Sequence, residues 1–134
     1  MKKRTVTWYK KKLDKIFSQY IRVKASSWEG YAQCVTCKVI KPWKELQSGH
    51  YISRSHNATR YLEENCHCQC VGCNVFKAGN MDEYALYIIE TYGIKKLREL
   101  KALKNEIKQF TTMDLEEMII IYQKKLKKEQ GSKL

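Results

Sequence analysis

The chain has 134 residues, a formal charge of +12 and six cysteines. That length holds one domain, or one domain with arms, and no apolar run approaches the ~20 residues a membrane-spanning helix needs, so no membrane role is expected. Met1-Lys2-Lys3-Arg4 leads into an amphipathic stretch and not an apolar leader, so the cysteines read as metal-bound thiolates of a cytoplasmic protein, not as disulfides of a secreted one.

The charge is unevenly spread. Residues 1–28 carry nine Lys+Arg against one acid, residues 29–93 six against seven, and residues 94–134 eleven against six. This divides the chain into a basic N-terminal helix or arm, a near-neutral core and a basic C-terminal extension, as suits a protein whose ends grip phosphates while its centre does chemistry. A charge run by itself is equally a solvated face.

Val6, Tyr9, Leu13, Ile16, Phe17, Tyr20 and Ile21 recur at helical spacing, with Lys10, Lys11, Lys12 and Lys15 on the other faces. The apolar stripe of this helix is expected to pack on the core or on another subunit, leaving the lysines for nucleic acid. Ser26, Ser27 and Gly30 end it, and Trp28 and Trp43 are expected to pack around a small core. Cys34 and Cys37 form one CxxC pair and Cys70 and Cys73 a second. Between them, Leu46 to Ile52 reads as a short strand containing His50, residues 53–60 as a polar loop with His56 solvated, and residues 66–69 as a second strand. A helix beginning near Gly72 would carry Asn74 and Lys77. Asn80 and Glu83 suggest a capping box for a helix from Met81 that stops at Gly93. Ile94, Leu97, Leu100, Leu103 and Ile107 keep a helical period, a last helix starts near Thr112, and Lys124 to Leu134 is expected to be frayed or disordered. The fold class is α+β: a small ββα-metal core with an N-terminal amphipathic helix and a helical C-terminal half.

Two CxxC turns can each aim two thiolates at one tetrahedral ion, so Cys34, Cys37, Cys70 and Cys73 point to zinc in a closed, structural site. Cys66 and Cys68 read as small buried thiols. Phosphodiester hydrolysis at neutral pH needs a base, a cation and something to hold the leaving oxygen. His50 can supply the base and Asn74 a neutral oxygen ligand for Mg²⁺ or Mn²⁺, with Asn65 orienting the neighbouring loop or the His50 peptide by its side-chain bonds. Taken singly, His50 could be a structural histidine and Asn74 a helix cap. His67, sharing a strand face with Asn65, is a candidate for contact with the catalytic ion or with phosphate, ahead of a structural role. Arg54, Arg60, Lys77, Lys10, Lys11 and Lys12 are candidate phosphate contacts.

The pattern C-x2-C, then His50, then Asn65-x8-Asn74, with Asn74 directly after the second CxxC and Lys77 three further on, resembles the HNH endonucleases. Phe17-Ser-Gln-Tyr-Ile-Arg22, Gly49-His-Tyr-Ile-Ser-Arg54 and the run from Asn65 to Asn74, followed by Gly79-Asn80, are similar to the NinG (Rap) recombination endonucleases of lambda-like phages. The resemblance runs from about Leu13 to Gly93. It implies a metal-dependent nuclease of phage or prophage origin acting on branched double-stranded DNA such as Holliday junctions and D-loops, with His50 as general base and Asn74 as ligand of the catalytic ion. Symmetric cutting of a four-way junction further implies a homodimer. One departure stands out: Gly49 occupies a position where many HNH enzymes place a metal-binding aspartate. The competing readings are a zinc-knuckle nucleic-acid-binding module without catalysis, and an interaction protein using its helical tail as an oligomer seam.

Overall fold

The computed structural model describes residues 3–133; Met1, Lys2 and Leu134 lie outside the described residues. Helix α1 (Val6–Ala25) begins where Thr5 Oγ1 accepts from the Trp8 amide at 3.1 Å and ends where Ser26 Oγ donates to the Val23 carbonyl at 2.7 Å. Leu13, Phe17, Tyr20 and Ile21 lie on one face at helical spacing and are buried. That face meets α5 (Thr112–Ser132), whose capping box is formed by Thr111 and Asp114. Leu115, Ile119 and Tyr122 of α5 join Leu13, Phe17, Tyr20, Tyr61 and Cys66 in one core, in which the Phe17 and Tyr122 rings meet edge to face at 4.9 Å. The two basic ends of the chain are thus packed on each other.

The strands are short and form two sheets. β1 (Tyr31–Gln33) pairs antiparallel with β2 (Ile40–Pro42), and the turn between them carries Cys34 and Cys37. β3 (Gln47–His50) pairs antiparallel with β4 (Cys66–Gln69), and their connection contains the single-turn helix α2 (Asn57–Arg60). A second core of Ala32, Leu46, Cys34, Cys68, Cys70 and Cys73 joins the two sheets. A third holds Ile52 against Tyr84 and Ile88 of α3 (Met81–Tyr92) and Leu97 and Leu100 of α4 (Ile94–Leu103).

Four expectations are corrected. The helix near Gly72 is one wide turn, Gly72–Phe76, because the knuckle holds its start. The Asn80 side chain does not cap α3; the Asn80 backbone is left-handed, with φ of 49°, and its side-chain Nδ2 donates to Cys73 Sγ at 3.6 Å. α4 stops at Leu103, leaving Ile107 95 % exposed. The C-terminal segment is helical through Ser132, because Leu126 packs on the first core and Lys125 reaches Glu63.

Glu63 ties the two long helices together. One carboxylate oxygen accepts from Tyr20 Oη at 3.1 Å and Lys24 Nζ at 3.0 Å, the other from Tyr122 Oη at 3.2 Å and Lys125 Nζ at 2.9 Å. Burial opposes its ionisation, but the hydrogen bonds and charges of Lys125 and Lys24 outweigh it and bring the carboxyl down to about 2. A depressed carboxyl stabilises the fold above its unfolded pKa of ~4.3, and that contribution fades as pH falls toward the folded value. Both lysines are half-exposed, so the screened contribution is about 1–2 kcal/mol. Glu63→Gln should lower stability by about that amount at pH 7 and flatten its decline below pH ~4.5. Urea unfolding followed by circular dichroism across pH reads this; parallel wild-type and variant curves would contradict it.

Candidate active-site groove and metal centre

The four paired cysteines converge. Their sulfurs all lie within 4.8 Å of one another, with Cys37 and Cys70 at 3.6 Å. A tetrahedral ion with ~2.3 Å bonds to sulfur spaces its ligands about 3.8 Å apart, so the cluster is compatible with structural zinc. Burial raises the cost of charging Cys34, but the Cys37 amide and the Thr36 hydroxyl, 3.3 Å away, favour its thiolate and lower its pKa. Cys73 gains the Asn80 amide, and the Cys73 N–H points at Cys70 Sγ at 3.4 Å. Cys66 and Cys68 stay outside the cluster as buried thiols.

Beside this centre a groove of about 880 Å³ runs between α1, β3 and the loop after it, with His50 and Asn74 both on its wall. His50 ends β3 and its Nε2 lies 2.9 Å from the Arg60 carbonyl. A carbonyl can only accept, so Nε2 carries the proton and Nδ1 holds the lone pair of the neutral ring. Burial lowers the His50 pKa below 6.5, which keeps the ring neutral at pH 7.

The Arg60 carbonyl is itself fixed. The Arg60 guanidinium bonds both oxygens of Asp14, with Nε at 3.1 Å, and its third arm donates to the Arg54 carbonyl at 2.9 Å. Tyr61 Oη completes the clasp by donating to Asp14 at 2.8 Å. Arg60 is therefore an internal strut and not a free phosphate clamp, as its sequence context had suggested. Asp14 was not anticipated, although it is the lone acid among the cations of residues 1–28, and that isolation is the signal that marks it.

Asn74 follows the knuckle directly, its amide bonded to the Cys70 carbonyl at 2.9 Å. Its Nδ2 donates to Gln47 Oε1 at 2.7 Å, which leaves Oδ1 as its ligand atom. Asn65 is fully buried and holds the loop after His50, accepting from the Ile52 amide at 2.8 Å and donating to the Ile52 and Thr59 carbonyls. Gly49 leaves room for a buried neighbour: a Cβ there would come within 1.9 Å of Gln69 Oε1, so an aspartate would require the Gln69 side chain to move.

His67 is placed elsewhere. Register pairs it with Gly49 while His50 pairs with Cys66, so the two histidines point to opposite faces of the sheet. Tyr84 Oη donates to the Gly49 carbonyl at 2.7 Å, so His67 Nδ1 donates to Tyr84 at 2.9 Å and Nε2 accepts from Tyr92 Oη at 2.7 Å. Both ring nitrogens are committed, and burial pushes the pKa down to about 4. This makes His67 a structural residue and not a metal or phosphate ligand. His56, expected in solvent, lines the groove, as do Arg22, Arg54 and Lys104. Lys77 is exposed and outside the groove lining. Lys10 is half-buried and donates to Asn57 at 2.8 Å, while Lys11 and Lys12 are exposed on α1.

One zinc per chain is expected from the thiolate quartet. Cys70→Ser should release the metal and unfold the two small sheets, as should acidification that protonates the thiolates. Elemental analysis of the purified protein, with and without the substitution, checks this; a folded wild type without zinc would contradict it.

The sequence profile of the family described as "Bacteriophage Lambda NinG protein" matches residues 1–131. Among individual relatives, "Protein ninG" of Salmonella phage P22 is 32% identical over 95 residues, covering 70% of this chain and 46% of that protein. "Protein ninG" of Escherichia phage lambda is 29% identical over 101 residues, covering 75% of this chain and 48% of that protein. The chain thus spans about half the length of the relatives it matches. No solved structure matches. With a family profile covering nearly its whole length, the chain belongs to the NinG family.

Proposed function

We propose that the protein is a metal-dependent endonuclease of the HNH type that hydrolyses phosphodiester bonds in branched double-stranded DNA, including Holliday junctions and D-loops, in the cytoplasm of a bacterial host. The observation that carries this reading is the geometry of His50, a neutral imidazole whose Nε2 is committed to the Arg60 carbonyl while Nδ1 is left as a base. Arg22, Arg54 and Lys104 give the groove the cations a phosphate backbone needs.

In this reading a phosphate lies across the groove and His50 Nδ1 takes the proton of the attacking water. The new bond to phosphorus forms as the bond to the leaving sugar oxygen breaks. Asn74 Oδ1 fits Mg²⁺ or Mn²⁺, hard cations that keep most of their waters and accept a single neutral oxygen. Such an ion, when bound, neutralises charge on the scissile phosphate and leaving oxygen. The clasp through Asp14 keeps the Arg60 carbonyl, and so the imidazole, in one orientation. Two such sites related by a two-fold axis would cut a four-way junction symmetrically, which favours a homodimer.

Cleavage of a synthetic four-way junction across a metal titration tests the assignment. His50→Ala should retain zinc and junction binding but lose turnover by a factor on the order of 10²–10⁴. Asn74→Ala should also lose turnover, with part of it restored by excess Mn²⁺, whereas no metal concentration should rescue the His50 variant. Full activity of His50→Ala would remove it as the base. Failure of the wild type to cut any branched DNA would leave a nucleic-acid-binding protein without catalysis.

A further inference from the structure

Trp28, expected in the core, is 77 % exposed. It stands in the turn that follows α1, and that turn is braced against the one carrying Trp43 by the Trp43 N–H bond to the Gly30 carbonyl at 2.9 Å. The two tryptophans and the last turns of α5 line a second cleft, of about 560 Å³. Lys127 and Gln130 of α5 and Lys133 just after it line the same cleft, and among the described residues no carboxylate lines it. An exposed indole on a braced turn, in a cleft that lysines also line, has the two parts of a single-strand binding site: a stacking platform and cations for the flanking backbone.

The cleft neighbours the groove that holds His50. Arg22 lines that groove, and its guanidinium covers the Trp43 ring at 5.2 Å from the centroid. A strand leaving the groove past Arg22 therefore arrives at Trp43 and Trp28. Bases within a duplex are already stacked and cannot offer a face to an indole, whereas an unpaired base can. An acidic protein partner that buried the indole is the competing occupant, and it would leave oligothymidylate binding independent of Trp28.

We propose that the cleft between Trp28, Trp43 and the last turns of α5 binds an unpaired DNA base stacked on Trp28, with its flanking phosphates held by Lys127 and Lys133. The choice of DNA rests on the nuclease reading, and the site would give that nuclease its preference for branch points, where bases come unpaired.

The test is binding of fluorescein-labelled oligothymidylate, and of a duplex of equal length, to the full chain without added divalent metal. Oligothymidylate should quench tryptophan emission. Trp28→Ala should weaken oligothymidylate binding by about 5- to 100-fold, the range for losing one base–aromatic stack, while duplex binding changes less than about 2-fold. Lys127→Ala with Lys133→Ala should reduce the salt slope for oligothymidylate by about 1–2. Trp28 is so exposed that its removal should leave zinc content and circular dichroism unchanged, and both are measured as controls. Oligothymidylate binding by Trp28→Ala within about 2-fold of wild type, or equal losses for single strand and duplex, would overturn the inference. Because the assay reads binding alone, a protein that binds oligothymidylate through Trp28 but cuts nothing would remove only the nuclease reading. One that cuts junctions without needing Trp28 for single-strand binding would remove only this site.

Discussion

Four thiolates from two knuckles are the constraint on which the rest of the structure depends. Neither two-stranded sheet is large enough to stand alone in water. Cys34 and Cys37 lie in the turn of one sheet, Cys70 and Cys73 immediately after the other, so a single ion would close both. The Val35 amide, bonded to the Cys68 carbonyl at 2.9 Å, adds a backbone tie at the same junction. Because Asn74 follows Cys73 with its amide on the Cys70 carbonyl, its position relative to β3 is inherited from the knuckle.

A second anchor comes from the far end of the sequence order. Asp14 on α1 grips Arg60, whose carbonyl orients His50, and α1 is held in turn by α5 and by Glu63. The basic helices are therefore structural supports of the groove as well as sources of charge. A change that loosens α1 from α5 should reach His50 through Arg60, even though neither helix carries the imidazole. This arrangement also explains why the one acid of the first segment sits where it does: a neutral side chain at position 14 would leave a part-buried guanidinium without its counter-charge.

What was legible in the sequence was whatever depends on spacing. The two CxxC pairs, the strand around His50, the strand over residues 66–69, and the helix from Met81 to Gly93 all follow local rules of period and turn chemistry, and the structure has them. Register was not legible. Period-two logic put His67 with Asn65, yet only the pairing of Gly49 with His67 reveals that it faces Tyr84 and Tyr92. Arg60 and Asp14 lie 46 residues apart, so nothing local distinguishes a clasped arginine from a free one. Helicity past Lys124 escaped for the same reason, since Glu63 and the first core, not composition, hold that segment in place. Trp28 is the converse: the base rate for aromatics favours burial, and a turn braced from behind keeps the ring in solvent.

The fold's presentation of His50 as a neutral base in one tautomer can be observed directly. Long-range proton–nitrogen correlation spectra of the ¹⁵N-histidine-labelled chain, recorded through a pH titration, separate the three imidazoles. His50 should appear at pH 7 as the neutral form protonated on Nε2, ionising below pH 6.5, while His67 stays neutral and protonated on Nδ1 until about pH 4. A His50 protonated on Nδ1, or already cationic at pH 7, would contradict its assignment as the base.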